Sequence, residues 1–247
     1  MQTIDLNKKN ICISVTDINV DRIIKKFSNK KYDYVDCLEY RIDYLIRDNV
    51  SITDIIKKIN KLKSFKKKLI VTIRTKRDGG VIELSKEQYF EYIKKIIKNS
   101  QFDLLDIEYN KYKRDEKLFE DLIREDLQKI ILSYHNFEES LTKKEYKKIF
   151  TKMKKTGARV IKIATYAFTK DDLINVMQIG REFAKKRDRD YVIISMGKKG
   201  ILSRLYTEWT NTNIVFINDS KDSINSIGQL SYKKYLEMRD WLQICKI

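Results

Sequence analysis

Residues 130–135 read Ile-Ile-Leu-Ser-Tyr-His, and residues 160–164 read Val-Ile-Lys-Ile-Ala. Both are short, mostly apolar runs, which is typical of buried strands. Between them, apolar residues recur at helical spacing, at Tyr146, Ile149, Phe150 and Met153. A strand, a helix and a second strand in this order predict a βαβ unit with parallel strands.

The same alternation extends along the chain of 247 residues. Strand-like runs begin near eight positions, which are Ile11, Tyr34, Leu69, Phe102, Lys129, Ala158, Tyr191 and Asn213. A last helix is predicted from about Gln229 to Leu242. Eight such units predict an α/β fold, a single-domain (β/α)8 TIM barrel over residues 1–247. An open doubly wound sheet is the alternative, but the turn Val15-Thr16-Asp17-Ile18 lacks the glycine typical of that fold.

The chain is strongly basic, with 52 Lys and Arg residues, 35 Asp and Glu residues and a formal net charge of +17. A basic surface can indicate nucleic-acid binding. The lysines are instead spread along the predicted helices, as in Lys57-Lys58 and Lys147-Lys148, without a basic patch that contains interleaved aromatic residues. We therefore expect solvated helix surfaces and no nucleic-acid partner, with a positive field that attracts a small anionic substrate.

Membrane, export and metal signals are missing from the sequence. No apolar run approaches the roughly 18 residues that span a membrane, and the N-terminus shows no signal peptide. The three cysteines, Cys12, Cys37 and Cys245, have no CxxC spacing, and the first two lie in apolar runs typical of core residues. These features predict a cytoplasmic protein without a membrane partner. With one histidine and no cysteine cluster, we expect neither a metal nor another cofactor.

Polar side chains stand where most of the predicted strands end. In chain order they are Ser14, Glu39, Arg41, Arg74, Asp106, Glu108, His135 and Lys162, with the apolar Met196 at the seventh strand. Because the carboxyl ends of barrel strands converge on one face, we expect these side chains to form one site.

A lysine within an apolar run and the lone histidine dominate this set. Lysine is rarely buried unless it is paired or used. Lys162 and His135, each on its own strand, are the parts of a Schiff-base site with proton transfer. Each also has a structural alternative. Lys162 could pair with a carboxylate, His135 could be packed and neutral, and Arg74 could be ion-paired with Glu39 or Asp106.

Together the motifs resemble type I 3-dehydroquinate dehydratase, from Ile11 to Leu230. The matching segments are Glu39-Tyr40-Arg41 with Asp43, Arg74-Thr75 with Asp78-Gly79-Gly80, Asp106-Ile107-Glu108, Ser133-Tyr134-His135-Asn136-Phe137, Lys162-Ile163-Ala164, Met196-Gly197 with Gly200 and Ser203-Arg204, and Ile227-Gly228-Gln229. Each motif is weak alone, but their order and spacing together are specific.

The resemblance implies a lyase of the shikimate pathway of aromatic amino acid biosynthesis, with Lys162 forming an imine with the C3 ketone of 3-dehydroquinate. His135 would remove the C2 proton and then protonate the departing C1 hydroxyl, with Asp78 as the third catalytic residue. Arg204 would clamp the substrate carboxylate. The other substrate-binding residues would be Ser14, Glu39, Arg41, Arg74, Met196, Asn225, Ser226 and Gln229. A homodimer is a further expectation from the resemblance.

Two positions depart from the family pattern. Asp78 stands where the family has a glutamate that is hydrogen-bonded to the histidine, so we expect His135 to be oriented less well. In the lid after the eighth strand, Asn225-Ser226-Ile227 replaces Ser-Ala-Pro. Without proline the open lid has more conformational freedom, so we expect its closure to lose more entropy.

Two other functions stay open at this point. An aldolase with a Schiff-base lysine would use a glycine-rich phosphate site, which Gly197 and Gly200 partly supply, whereas Arg204 favours a carboxylate. A catalytically weakened homologue that senses quinate-like ligands would explain Asp78 and Asn225, but the intact His135 and Lys162 favour an enzyme.

Overall fold

The computed structural model describes residues 4–113, 116–186, 189–219 and 228–244. Its centre is an 8-stranded parallel sheet in the order β7-β6-β5-β4-β3-β2-β1-β8. The strands are β1 (Asn10–Val15), β2 (Cys37–Arg41), β3 (Lys68–Thr72), β4 (Leu104–Glu108), β5 (Ile130–Asn136), β6 (Val160–Tyr166), β7 (Asp190–Met196) and β8 (Ile214–Ile217). Because β1 pairs with both β2 and β8, the sheet curls into a nearly closed barrel. The predicted (β/α)8 fold is confirmed.

Helices between the strands cover the outside of the barrel. They are α1 (Val20–Phe27), α2 (Asp43–Arg47), α3 (Ile52–Lys63), α4 (Lys86–Asn99), α5 (Tyr109–Tyr112), α6 (Glu116–Ile123), α7 (Lys143–Lys155), α8 (Lys170–Ala184), α9 (Leu202–Leu205), α10 (Thr207–Thr210) and α11 (Tyr232–Ile244). Capping boxes begin α4 at Ser85, α7 at Thr142 and α8 at Thr169, and each satisfies two backbone N–H groups. No helix in these described ranges has the length and apolar character needed to cross a bilayer.

The predicted strand starts agree with the structure within two residues, except at β2. There the prediction of Tyr34 was wrong, because β2 begins at Cys37. A 3₁₀ helix at Lys30–Tyr32 precedes it, and the backbone N–H of Val35 donates to the carbonyl oxygen of Tyr32. This turn uses the groups that would otherwise extend the strand. The last helix begins at Tyr232, three residues later than predicted.

The barrel interior is apolar towards the amino ends of the strands. Ile4 and Leu6 precede β1 and pack against inward-facing strand residues. These are Cys12, Cys37, Ile70, Leu104, Ile131, Val160, Val192 and Ile214. Cys12 and Cys37 are fully buried there, as expected for small core residues. The alternate strand residues pack outwards against the helices in a second, larger cluster.

Candidate active site

The register of β5 and β6 sets the centre of the site. Lys162 lies opposite Ser133, and His135 follows Ser133 by two residues. Side chains two residues apart along a strand point to the same face. Ser133, His135 and Lys162 therefore all face the barrel interior.

The amine of Lys162 is buried among carboxylates. Its Nζ lies 3.0 Å from Oδ2 of Asp106 and 3.7 Å from Oε1 of Glu39. The ring of Phe216 lies beneath it, with 4.0 Å between Nζ and the ring centroid. Lys162 therefore pairs with carboxylates, as one of the two interpretations of the sequence expected. These ion pairs hold the amine inside the barrel mouth.

Asp106 connects the lysine to Arg74. Its Oδ1 lies 2.9 Å from Nη2 of Arg74 and accepts a 2.5 Å hydrogen bond from the hydroxyl of Ser133. Burial acts to raise the pKa of Asp106, but Arg74 and Lys162 hold it well below its usual range. Asp106 is therefore ionised at neutral pH. The ion pair between Arg74 and Asp106, foreseen as an alternative, is present.

Arg74 also reaches Glu108, the next inward carboxyl on β4. The Nη1 atom of Arg74 lies 3.5 Å from Oε1 of Glu108 and donates to the hydroxyl of Ser133 at 2.9 Å. Glu108 accepts bonds from the backbone N–H of Thr75 at 2.7 Å and from its hydroxyl at 2.8 Å. Burial raises the pKa of Glu108 to about 7, against the opposing effect of Arg74.

His135 is neutral at pH 7. Burial, assisted by the positive charge of Arg74, lowers its pKa to about 4. Its Nδ1 lies 3.4 Å from Oδ2 of Asp78. A neutral imidazole can accept a proton, so His135 meets the first requirement of a general base. The predicted alternative of a packed, neutral histidine is compatible with that role.

Asp78 lies in a 3₁₀ helix, Lys76–Asp78, directly after β3. Burial acts to raise its pKa, but the contact with His135 and the positive charge of Arg74 lower it below the ordinary value. Its Oδ1 accepts a 3.1 Å hydrogen bond from the side-chain amide of Asn110. The 3.4 Å separation from His135 is long for a hydrogen bond. Poorer orientation of His135 stays a prediction.

Two glycines let the loop that carries Asp78 fold against β3 and β5. Gly79 has φ of 87°, a left-handed conformation that side chains rarely adopt, and a Cβ there would collide with the ring of Phe137. A Cβ on Gly80 would lie 1.8 Å from the carbonyl oxygen of Arg74. This close approach brings Asp78 within reach of His135.

Glu39 and Arg41 end β2 on the opposite side of Lys162. Glu39 accepts hydrogen bonds from Ser14 at 2.5 Å and Thr72 at 3.0 Å. Burial acts to raise its pKa, but Lys162 and Arg41 lower it overall. Arg41 is held by two 2.8 Å hydrogen bonds to Asp43.

The remaining predicted residues lie on the elements around β7 and β8. Met196 is buried at the end of β7 within the interior apolar cluster. Arg204 is buried on α9, and its Nη1 donates to the carbonyl oxygen of Ser195 at 2.8 Å. Burial lowers the pKa of Arg204 to about 10. The carbonyl of Gln229 accepts from Asn218 at 2.7 Å. Asn225 and Ser226 lie outside the described residues.

Several supporting residues were not assigned a role from the sequence. Ser133 and Phe216 contact the central charged groups, and their inward parity on the strands could have identified them. Asp106 was expected at the site as a possible partner of Arg74, but its ion pair with Lys162 was not assigned. Asn110 had no such signal, because it lies on the short helix α5 beyond a strand end. Within the described ranges, no group of three or more His, Cys, Asp or Glu side chains could hold a metal ion.

Comparison with known proteins identifies relatives of the whole barrel. A model of the type I 3-dehydroquinase family matches residues 11–246. A 3-dehydroquinate dehydratase from Streptococcus pneumoniae is 32% identical over 216 residues, covering 87% of this chain and 91% of the relative. The crystal structure of type I 3-dehydroquinate dehydratase from Clostridium difficile with covalently modified comenic acid superposes with a TM-score of 0.83 at 24% identity, covering 96% and 93% of the two chains. The Aquifex aeolicus 3-dehydroquinate dehydratase has a TM-score of 0.75 at 25% identity, with 94% and 98% covered.

Proposed function

The chain belongs to the type I 3-dehydroquinase family, and we propose that it eliminates water from 3-dehydroquinate through an imine formed on Lys162. The product would be 3-dehydroshikimate. One observation carries this proposal. The amine of Lys162 is buried inside the barrel mouth, where Asp106 links it to the strand that carries a neutral imidazole.

Lys162 supplies the nucleophile. The ammonium of Lys162 first gives a proton to the neutral imidazole of His135, and the free Nζ then attacks the C3 ketone to form a carbinolamine. The imidazolium returns the proton to the carbinolamine hydroxyl, which leaves as water and gives a cationic iminium. The iminium nitrogen would keep Asp106 and Glu39 as partners, which now lie 3.0 and 3.7 Å from Nζ. Carboxylates already in place need no reorganisation when the charge becomes fixed on that nitrogen. The iminium withdraws electrons from C2 and acidifies its proton.

His135 moves the proton. Its neutral form, held by burial and by Arg74, accepts the C2 proton and becomes an imidazolium. The C2 electron pair forms the enamine, which then expels the C1 hydroxyl as water when the imidazolium protonates it. Hydrolysis of the remaining iminium breaks the bond between Nζ and C3, frees Lys162 and releases 3-dehydroshikimate. One residue serves as base and acid because the two steps are sequential. Arg74 disfavours the imidazolium and so promotes release of the proton.

The substrate is a small carboxylate, and the site has cationic side chains for it. We assign the carboxylate to Arg204, because a guanidinium fork matches two carboxylate oxygens. The other predicted binding residues would position the ring: Ser14, Glu39, Arg41, Arg74, Met196, Asn225, Ser226 and Gln229. The homodimer and the cytoplasmic location stay predictions.

The rate of elimination tests this function in substituted proteins. Lys162→Arg keeps a cation beside Asp106 but removes the amine that forms an imine, so elimination of water from 3-dehydroquinate should become undetectable. Lys63→Arg is the matched control, because Lys63 is also buried and lies 2.8 Å from an aspartate, Asp103, outside the barrel mouth. Product formation is measured by the ultraviolet absorbance of its conjugated carbonyl.

Wild-type turnover that persists in Lys162→Arg would exclude the imine mechanism. A folded wild-type protein that binds 3-dehydroquinate without converting it would instead support the ligand-sensing alternative.

A further inference from the structure

The Nδ1 atom of His135 lies between two groups that make opposite demands on it. It is 3.4 Å from Oδ2 of Asp78 and 3.4 Å from Nη1 of Arg74. An ionised carboxylate can only accept a hydrogen bond, and a guanidinium can only donate one. Protonated Nδ1 satisfies Asp78, whereas unprotonated Nδ1 satisfies Arg74. The contacts of His135 alone therefore do not decide its tautomer.

Arg74 has acceptors other than the imidazole. Its guanidinium donates to Ser133 at 2.9 Å, and it forms ion pairs with Asp106 and Glu108. Without the contact to Nδ1, Arg74 would keep its hydrogen bond to Ser133 and both ion pairs, although its buried Nη2 makes no hydrogen bond within the described ranges. The position of Asp78 is therefore the stronger influence on the tautomer.

Asn110 fixes that position. Its side-chain Nδ2 donates to Oδ1 of Asp78 at 3.1 Å, and both residues are buried. The amide nitrogen must face Asp78, because the carboxylate offers only acceptors. The amide oxygen of Asn110 is buried and has no hydrogen-bond partner among the described residues. A buried, unsatisfied oxygen is destabilising. A contribution to folding stability therefore does not explain an asparagine at position 110. The hydrogen bond that its side chain donates to Asp78 does.

We propose that Asn110 is a positioning residue that anchors Asp78 so that His135 carries its proton on Nδ1 and keeps the Nε2 lone pair as the base. This inference rests on the proposed function. Asn110 would act through Asp78 without touching substrate. If Asp78 turned away, the pair of His135 and Arg74 would favour a proton on Nε2, and that nitrogen would have no lone pair to accept the C2 proton.

The single histidine makes the tautomer directly measurable. Because His135 is the only histidine in 247 residues, ¹⁵N-labelled protein gives one set of imidazole signals. In substrate-free protein at pH 7, long-range ¹H–¹⁵N spectra should show a protonated Nδ1 and an unprotonated Nε2. The charged groups that act on this ring are Asp78, Arg74, Asp106 and Lys162. Glu108 pairs with Arg74 and its pKa is raised to about 7, so all variants must be compared at the same pH.

Asn110→Leu removes the donor at nearly constant volume. It should convert the single tautomer into a mixture or into the Nε2-protonated form, and it should lower kcat about 10- to 100-fold with little change in KM. Asn110→Ser, a smaller side chain that cannot reach Asp78 in the same way, should give the same shift and decides the question if the leucine variant fails to fold. Asn213→Leu is the control, since Asn213 lies just before β8 and its side-chain amide donates to Asp190 at 3.3 Å.

An unchanged tautomer in the folded Asn110 variants would overturn the proposal. So would an equal change of tautomer in Asn213→Leu, because the effect would then be one of general stability. The spectra need no substrate. Failure of imine formation on Lys162 would refute the proposed function without altering this result, and the two outcomes are therefore distinguishable.

Discussion

The two halves of the barrel interior are built on the same strands but filled with opposite chemistry. Towards the amino ends, the inward residues are apolar. Two residues further along β2 to β6, the same faces carry polar or charged groups, whereas β7 and β8 stay apolar at Ile194 and Phe216. The pairs on these five strands are Cys37 and Glu39, Ile70 and Thr72, Leu104 and Asp106, Ile131 and Ser133, and Val160 and Lys162. A step of two residues keeps the same face, so one geometry supports both a core and a site.

The half of the interior at the amino ends of the strands, here the lower half, stabilises the fold by excluding water. In the half at the carboxyl ends, here the upper half, buried charges of opposite sign compensate one another. In the upper half, the single carboxylate of Asp106 contacts three side chains, those of Arg74, Ser133 and Lys162. Removing one member of a buried ionic cluster leaves the others uncompensated. We therefore expect substitutions in the upper half to change both stability and catalysis, and those in the lower half to change stability alone.

The largest combined effect on stability and activity is expected at Asp106. Asp106→Asn keeps the shape but leaves Lys162 and Arg74 with less negative charge, so it should lower the free energy of unfolding by about 3 kcal/mol. It should also lower kcat/KM on the order of 100-fold. Denaturant unfolding and the elimination rate measure the two effects. Wild-type values for both would show that the upper half is not an interdependent cluster.

Leu104→Ala makes the matching change two residues lower on β4. Leu104 is fully buried, and its truncation should lower the free energy of unfolding by about 2–5 kcal/mol through lost contacts and a cavity. The kcat of the folded protein should stay near the wild-type value. A loss of kcat as large as that in Asp106→Asn would contradict the division of the barrel into two halves.

The upper half should also determine the response to acid. The pKa of His135 is about 4 when folded and 6.5 ordinarily, so the unfolded chain binds more protons between these values. This contribution to stability is present above pH 6.5, falls as the pH falls, and is lost by about pH 4. The carboxyls of Asp78 and Asp106, whose pKa values are lowered, act in the same direction at lower pH. Glu108 acts in the opposite direction, because its pKa is raised from 4.5 to about 7 and the folded protein binds the extra proton between these values.

His135→Asn removes the histidine contribution, so the variant should lose less stability than the wild type as the pH falls from 6.5 to 4. In the wild-type enzyme, kcat/KM should fall on the acid side as the free imidazole becomes protonated near pH 4. An unaltered stability profile in the variant would show that His135 is not the group responsible.

The smallest effect is expected on the helix surface. Asp54 is exposed and pairs with Lys57 at 3.1 Å. Asp54→Asn should leave the denaturation midpoint and kcat within experimental error, because exposed ion pairs contribute little. Asp54→Asn makes the same chemical change as Asp106→Asn. A measurable loss of activity in Asp54→Asn would contradict the claim that the effect at Asp106 comes from its buried contacts.

The sequence was sufficient to predict the strands and the convergence of the central groups. His135 and Lys162 stand near the ends of two strand-like runs, and the carboxyl ends of barrel strands converge on one face. The burial of Cys12 and Cys37 followed from the apolar runs in which they lie. These features depend on local geometry and on the hydrophobic effect, and both are encoded by neighbouring residues.

Contacts made by loops could not be predicted in this way. The bond between Asn110 and Asp78 joins residues 32 positions apart, and it depends on how two strand-end segments fold back. The clamp of Asp43 on Arg41 depends on the position at which α2 begins. The carboxylate partners of Lys162 come from β2 and β4, so the ion pairs of this amine become visible only in the assembled barrel.

Covalent trapping tests the central claim most directly. Wild-type protein is mixed with 3-dehydroquinate, reduced with borohydride, and its intact mass and peptide map are recorded, with Lys162→Arg treated in parallel. We predict one reduced adduct, located on Lys162 and missing from the variant. An active wild-type enzyme without an adduct, or with an adduct on another lysine, would contradict the account.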